Sequence, residues 1–254
     1  MSTLRKKFRP VATTMFMNKG SRPFQEDYAL IDREKGIFVV ADGFGGPVPG
    51  AEVSKISCEA VKTFLFKEAG DLDATLPFEL RQYFSLAGNV LFNSLIYSNR
   101  KVNAFNKGKN VHEKGGASVL AAFVDGELLA IANIGLCVAK LLRNGKLADL
   151  VIPRSFERMI DPFLTEPSER KEDWKVPLMA VGMSEDLEPE IFEYRLRKED
   201  WLILSTDGLS DRVFPSLAAL QSKQLTPNQA MSEFTKIMDQ VHFQDNVATS
   251  LIIF

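Results

Sequence analysis

The spacing of apolar positions changes several times along the chain, and each change marks a new element. Val11 to Met17 and Tyr28 to Ile31 are short runs of strand character, separated by a polar turn through Lys19, Gly20, Ser21, Arg22 and Pro23. Gly36 to Ala41 is apolar and rich in β-branched residues, which predicts a buried strand ending at Asp42-Gly43. From Ala51 to Lys67 the residues Val53, Ile56, Ala60, Val61, Phe64 and Leu65 recur at helical spacing. A second helical stretch runs from about Pro77 to Phe105, with Phe78, Phe84, Leu91, Leu95 and Val102 as its buried positions.

Past Gly115-Gly116 the pattern becomes that of short strands. Ser118 to Val124, Glu127 to Ala132 and Val138 to Leu142 are joined by Asp125-Gly126 and by Asn133 to Cys137, and Asn144-Gly145 follows. Asp-Gly and Asn-Gly between apolar runs are strong hairpin signals, so an antiparallel meander is expected. Pro153 to Pro177 holds four prolines and many charges without clean periodicity, and is expected to be a functional flap or a mobile loop. Glu190 to Leu196 and Trp201 to Ser205 resume the strands, Pro227 to Val241 is helical, and Val247 to Phe254 is a last buried strand. No repeat or interdomain linker interrupts this order. The expected class is α+β with mostly antiparallel sheets, in a single domain over residues 1–254.

Composition narrows the function classes. The chain has 254 residues, 45% hydrophobic and 25% charged, and 31 basic against 33 acidic residues give a net charge of -2. A whole-domain nucleic-acid footprint would show a clear basic excess, so no nucleic-acid partner is expected. Cys58 and Cys137 sit in apolar surroundings with no metal-type spacing and read as small buried hydrophobes. The basic run Arg5, Lys6, Lys7 and Arg9 is not followed by an adequate signal-peptide core, and no window nears the roughly 18 apolar residues of a membrane span. A cytoplasmic protein without membrane partners is the expectation.

Four acidic residues stand where a strand meets a turn. Asp27 precedes Tyr28 to Ile31, Asp42 follows the run Ile37 to Ala41 and leads into Gly43-Phe44-Gly45-Gly46, Asp207 follows Trp201 to Thr206 and precedes Gly208, and Asp245 precedes Asn246. Each alone is an ordinary turn former. If the strand ends converge, however, several carboxylates would repel one another, and hard divalent cations with oxygen ligands are the natural remedy. An oxygen-lined Mg²⁺ or Mn²⁺ site with one or two ions is inferred.

Five segments in this order resemble the motifs of the metal-dependent protein phosphatase 2C family: Arg22 to Asp27, Phe38 to Gly46, Gly116 to Ser118, Leu202 to Asp211, and Asp245 to Val247. The resemblance covers about Val11 to Phe254 and looks most like the family's bacterial branch. It implies an α-β-β-α sandwich of two antiparallel sheets flanked by helices. It further implies that Asp42 bridges two Mn²⁺ or Mg²⁺ ions, that the Gly43 carbonyl binds one, and that Asp207 and Asp245 complete the other. Glu26 and Asp27 would orient metal-bound waters, and Arg22 would hold the substrate phosphate. A water shared by the two ions would attack phosphorus in line, hydrolysing phosphoserine or phosphothreonine in phosphoproteins, among them a serine/threonine kinase or its targets. A monomer is expected.

Two departures matter. Leu136 stands where the family usually has an aspartate that helps hold a third metal, and the usual Leu-Thr-x-Asp-His segment is missing near Leu147 to Pro153. Phe44 stands where some relatives carry a histidine that protonates the leaving group, so that proton is assigned to water. Asp211 is either a further ligand or a turn residue, and His112 and His242 read as surface or capping residues. Besides the phosphatase, a pseudophosphatase that binds a phosphoprotein without turnover and a hydrolase of another phosphoester both remain open.

Overall fold

The computed structural model describes residues 8–68, 80–160, 176–223 and 225–254. The chain forms strands β1 (Ala12–Asn18), β2 (Asp27–Asp32) and β3 (Ile37–Phe44), then helices α1 (Pro47–Glu68) and α2 (Leu86–Asn106). Strands β4 (Gly116–Asp125), β5 (Leu128–Ile134), β6 (Val138–Arg143) and β7 (Lys146–Asp149) follow, and then a short helix α3 (Phe156–Ile160). Strands β8 (Glu190–Arg195) and β9 (Trp201–Ser205), helices α4 (Phe214–Gln221) and α5 (Pro227–Asp239), and strand β10 (Val247–Ile253) complete it.

The strands make two five-stranded sheets, ordered β1-β10-β9-β6-β7 and β2-β3-β4-β5-β8, with every pairing antiparallel. Their facing sides bury Phe38, Val40, Leu120 and Ile131 against Leu202, Leu204 and Ile252. Helices α1 and α2 cover the outer side of the second sheet, packing Val53, Val61, Leu91 and Leu95 on Val39, Val119 and Ala121. Helices α4 and α5 cover the first sheet, with Leu217, Phe234 and Met238 against Ile203 and Leu251. The result is the expected α-β-β-α sandwich. Because β3 and β4 are covered on both faces, they read as continuous apolar runs rather than alternating ones.

Several expectations are corrected. β3 does not stop at Asp42 but continues to Phe44, because Asp42, Gly43 and Phe44 pair with Ser118, Ala117 and Gly116 of β4. α1 begins at Pro47, four residues before Ala51, directly after the glycines at 45 and 46. α2 begins only at Leu86, where the Ser85 hydroxyl accepts a hydrogen bond from Gly88 N (3.1 Å); residues 77–79 of the expected helix lie outside the described residues.

The meander also fails after its first hairpin. Gly135, at φ 98°, turns the chain out of the second sheet, and β6 joins β9 and β7 in the first. A side chain there would put Cβ 2.4 Å from Ser118 Oγ, so glycine is needed for both conformation and space. Asn144 (φ 52°) and Gly145 (φ 72°) form the tight turn into β7, an exposed strand that the apolar pattern does not reveal. Helix α4 was likewise not expected. Of Pro153 to Pro177, residues 161–175 lie outside the described residues.

Candidate active site

The register of β2 on β3 sets Asp27 directly opposite Asp42. Their carboxyl groups face each other closely enough for each to shift the ionisation of the other. Thr206, which follows β9, donates from its hydroxyl to Asp27 Oδ2 (2.7 Å) and accepts from Ala248 N (2.9 Å). This one side chain therefore ties the ends of the two sheets together and delivers the next residue, Asp207, to the same place.

Asn246 holds the other side. Its Nδ2 donates to Lys19 O (2.9 Å) and Phe24 O (2.8 Å), and its Oδ1 accepts from Glu26 N (2.7 Å). Those bonds fix the loop carrying Arg22 and Glu26 against the start of β10. Gly208 packs so closely on this clip that a Cβ would lie 1.9 Å from Asn246 O. Glu26 accepts a hydrogen bond from the Gly46 N–H ahead of α1, and burial raises its pKa.

The electrostatics record the convergence. Burial, before any other cause, pushes the Asp27 carboxyl up to about 7, with the charges of Asp207 and Asp245 adding to it and the Thr206 hydroxyl opposing. Asp42 is raised well above the ordinary carboxylate range, by burial first and then by Asp207, Asp27 and Asp245. Asp27 and Asp42 thus feel the other aspartates singled out from the sequence, as converging strand ends require.

Arg22 and Asp245 stand in an unexpected relation. The guanidinium donates from Nε to Asp245 Oδ1 (2.8 Å) and from Nη2 to Oδ2 (2.7 Å), a bidentate pair on the exposed rim of the site.

Among the described residues, no three His, Cys, Asp or Glu side chains stand ready in ligating geometry. Asp27 and Asp42 are turned to each other and Asp245 to Arg22, which accounts for that. The donor chemistry nonetheless fits a hard cation: oxygen donors only, in a cluster whose crowded charge now needs protons and a guanidinium to hold it. Asp42, the Gly43 carbonyl, Asp207 and Asp245 are the residues that would hold it.

The remaining sequence candidates are placed as follows. Leu136 is buried at the sheet switch and offers no ligand. Asp211 lies in a 3-10 turn, exposed, 3.6 Å from Lys140 Nζ. His112 and His242 are exposed. Cys58 and Cys137 are free and buried; burial pushes the Cys137 thiol up, and it donates to Ser118 O (3.6 Å) beneath the carboxylates. Thr206 and Asn246 are the residues whose roles the sequence did not reveal, although both lie inside the quoted motifs. No helix among the described residues is long and apolar enough to cross a membrane.

Comparison with known proteins agrees with this arrangement. The protein phosphatase 2C family model matches residues 19–251. Among solved structures, the PPM Ser-Thr phosphatase MsPP from Mycobacterium smegmatis, in complex with cacodylate, superposes with a TM-score of 0.74 at 18% identity, covering 97% of this chain and 100% of that one. The Mycobacterium tuberculosis serine/threonine phosphatase PstP/Ppp gives 0.75 at 19%, covering 96% and 98%. The catalytic domain of the phosphatase PstP in complex with two manganese ions gives 0.72 at 20%, covering 95% and 97%. No curated protein matches significantly in sequence. A family match over residues 19–251 settles the class: the chain belongs to the protein phosphatase 2C family of protein serine/threonine phosphatases.

Proposed function

We propose that this chain is one catalytic domain that hydrolyses phosphoserine and phosphothreonine in proteins, dependent on Mn²⁺ or Mg²⁺. The observation that carries this reading is the convergence of Asp27, Asp42, Asp207 and Asp245 at one end of the sandwich, where strand register sets Asp27 opposite Asp42 and the charges of Asp27, Asp207 and Asp245 raise the pKa of Asp42. Asp42, the Gly43 carbonyl, Asp207 and Asp245 would hold two divalent ions, which would supply an activated water and neutralise the phosphoryl oxygens. Arg22, which pairs with Asp245 on the exposed rim of the site, would bind the phosphate through the bidentate geometry of its guanidinium. Asp27, fixed by Thr206, and Glu26, fixed at the start of α1, would orient the attacking water. With Phe44 in the glycine-rich turn and no histidine there, the leaving group takes its proton from solvent.

A second reading, a phosphoprotein-binding module without turnover, draws on Leu136, a buried apolar residue where the resemblance to the family leads one to expect a metal-binding aspartate. Hydrolysis of p-nitrophenyl phosphate and of a phosphothreonine peptide in Mn²⁺, Mg²⁺ or EDTA decides between them. Metal-dependent turnover lost in Asp42→Ala and in Asp207→Ala supports the phosphatase. Turnover no higher than in those variants, with Mn²⁺ binding intact by calorimetry, refutes it and selects the binding module.

A further inference from the structure

Two residues past Gly43, the loop that joins α2 to β4 packs against the glycine-rich turn at Gly45. The fit is tight: a Cβ at Gly45 would lie 2.4 Å from Lys114 O and 2.9 Å from Gly115 Cα, and one at Gly115 would lie 2.6 Å from Pro49 O. Asn106, at the end of α2, clamps the loop from within, donating from Nδ2 to Gly115 O (2.7 Å) and accepting from Gly115 N (3.1 Å). The loop is thus a fixed wall continuous with the metal-binding turn, held by a buried amide.

Its outer surface has a definite character. Lys107 and Lys114 are exposed, and the Lys109 ammonium lies over the Phe105 ring. Glu113, the acidic residue among them, is turned back on the loop itself, accepting from Asn110 N (3.0 Å) and Asn110 Nδ2 (3.1 Å). Val111 is 79% exposed at the crest of the loop, and Val48, at the start of α1, is 71% exposed. Neither valine supports the fold by burial.

We propose that this loop reads the residues flanking the phosphorylated side chain and selects acidic segments, with Lys107, Lys109 and Lys114 meeting the flanking carboxylates and Val111 resting on the peptide. The proposal rests on the phosphatase reading for its substrate and extends it to the sequence context. Charge complementarity and continuity with the site name the occupant: an acidic phosphopeptide.

Phosphothreonine peptides identical except for acidic, neutral or basic flanks test this in the full chain, both by kcat/KM with Mn²⁺ and by fluorescence anisotropy of peptide binding. Three exposed charge pairs, each modest, multiply to roughly a tenfold preference for the acidic over the neutral peptide. The preference should shrink in 0.5 M salt, where exposed charges are screened. Combined Lys107→Glu, Lys109→Glu and Lys114→Glu, with folding checked by circular dichroism, should remove or invert it. Equal values across the three flanks, or a preference untouched by the charge reversals, overturns the proposal. Failure of wild type to hydrolyse even p-nitrophenyl phosphate would sink the phosphatase reading instead, and the anisotropy series would still decide the loop's selectivity.

Discussion

The carboxyl pair formed by Asp27 and Asp42 makes the stability of the metal-free protein depend on pH in an unusual direction. Asp27 ionises at about 7 in the native protein against 3.8 as its reference value, a difference of about 3 units, or about 4 kcal/mol at 1.36 kcal/mol per unit. A native pKa above the unfolded one means that the native state keeps a proton the unfolded chain has already lost. Stability is therefore highest below about pH 4 as far as this group is concerned, falls as pH rises through the window, and is fully lost above about pH 7. Of the total, about 3 kcal/mol falls between pH 5 and pH 8. Asp42, raised for the same reasons, adds with the same sign. Asp27→Asn imitates the protonated form, since an amide can still accept from Thr206 and donate to Asp42. In EDTA at pH 8 the variant should be more stable than wild type by up to about 4 kcal/mol, and by much less at pH 5. Denaturant unfolding at both pH values measures this. Saturating Mn²⁺ should reverse the wild-type trend, because ions bind the deprotonated carboxylates. Wild-type stability that is flat or rising from pH 5 to pH 8 in EDTA, or an Asn variant that is less stable at pH 8, would refute the reasoning.

Two further expectations follow from single contacts. Arg22→Lys replaces a planar fork by a point charge, so KM for the phosphothreonine peptide should rise about tenfold with kcat changed far less, while the exposed location of the pair with Asp245 keeps the stability change under about 0.5 kcal/mol; an unchanged KM would count against Arg22 as the phosphate residue. Gly208→Ala drives a Cβ to 1.9 Å from Asn246 O, which displaces the clip on Lys19, Phe24 and Glu26, and about 2–4 kcal/mol of stability should go with it together with Mn²⁺ affinity; calorimetry showing wild-type affinity would refute this coupling.

The layers of the fold were legible because burial imposes a pattern. Runs such as Ile37 to Ala41 and Val119 to Phe123 are covered on both faces and have to be apolar throughout, and α1 shows its core positions at helical spacing. What misled was local chemistry overridden by partners far along the chain. Asp42-Gly43 looks like the end of a strand, yet β4 supplies Ser118 and Ala117 opposite it and pairing continues. Asn133 to Cys137 looks like a hairpin loop, yet Gly135 sends the chain across to the other sheet, where Ser205 and Leu204 already offer an edge to β6. Neither partner is visible in a local window.

The site shows the same division more sharply. Asp42, Asp207 and Asp245 announced themselves through the glycine or asparagine beside them and Asp27 through its place at a strand end, but what each one touches depended on register. For Asp27 and Asp42 the register was available in principle: a turn over residues 33–36 pairs Asp32 with Ile37, and stepping five residues outward along both strands brings Asp27 to Asp42. The bond from Arg22 to Asp245 spans 223 residues and no local signal could announce it. It also alters what the site is, because the residue assigned to phosphate and a residue assigned to metal share one hydrogen-bonded unit. On the proposed reading, the Asp245 oxygens would serve two cations of different kinds, the Arg22 guanidinium and a divalent ion. Phosphate and metal subsites joined through one carboxylate cannot be tuned separately, so a change at Arg22 has to be read in Mn²⁺ affinity as well as in KM.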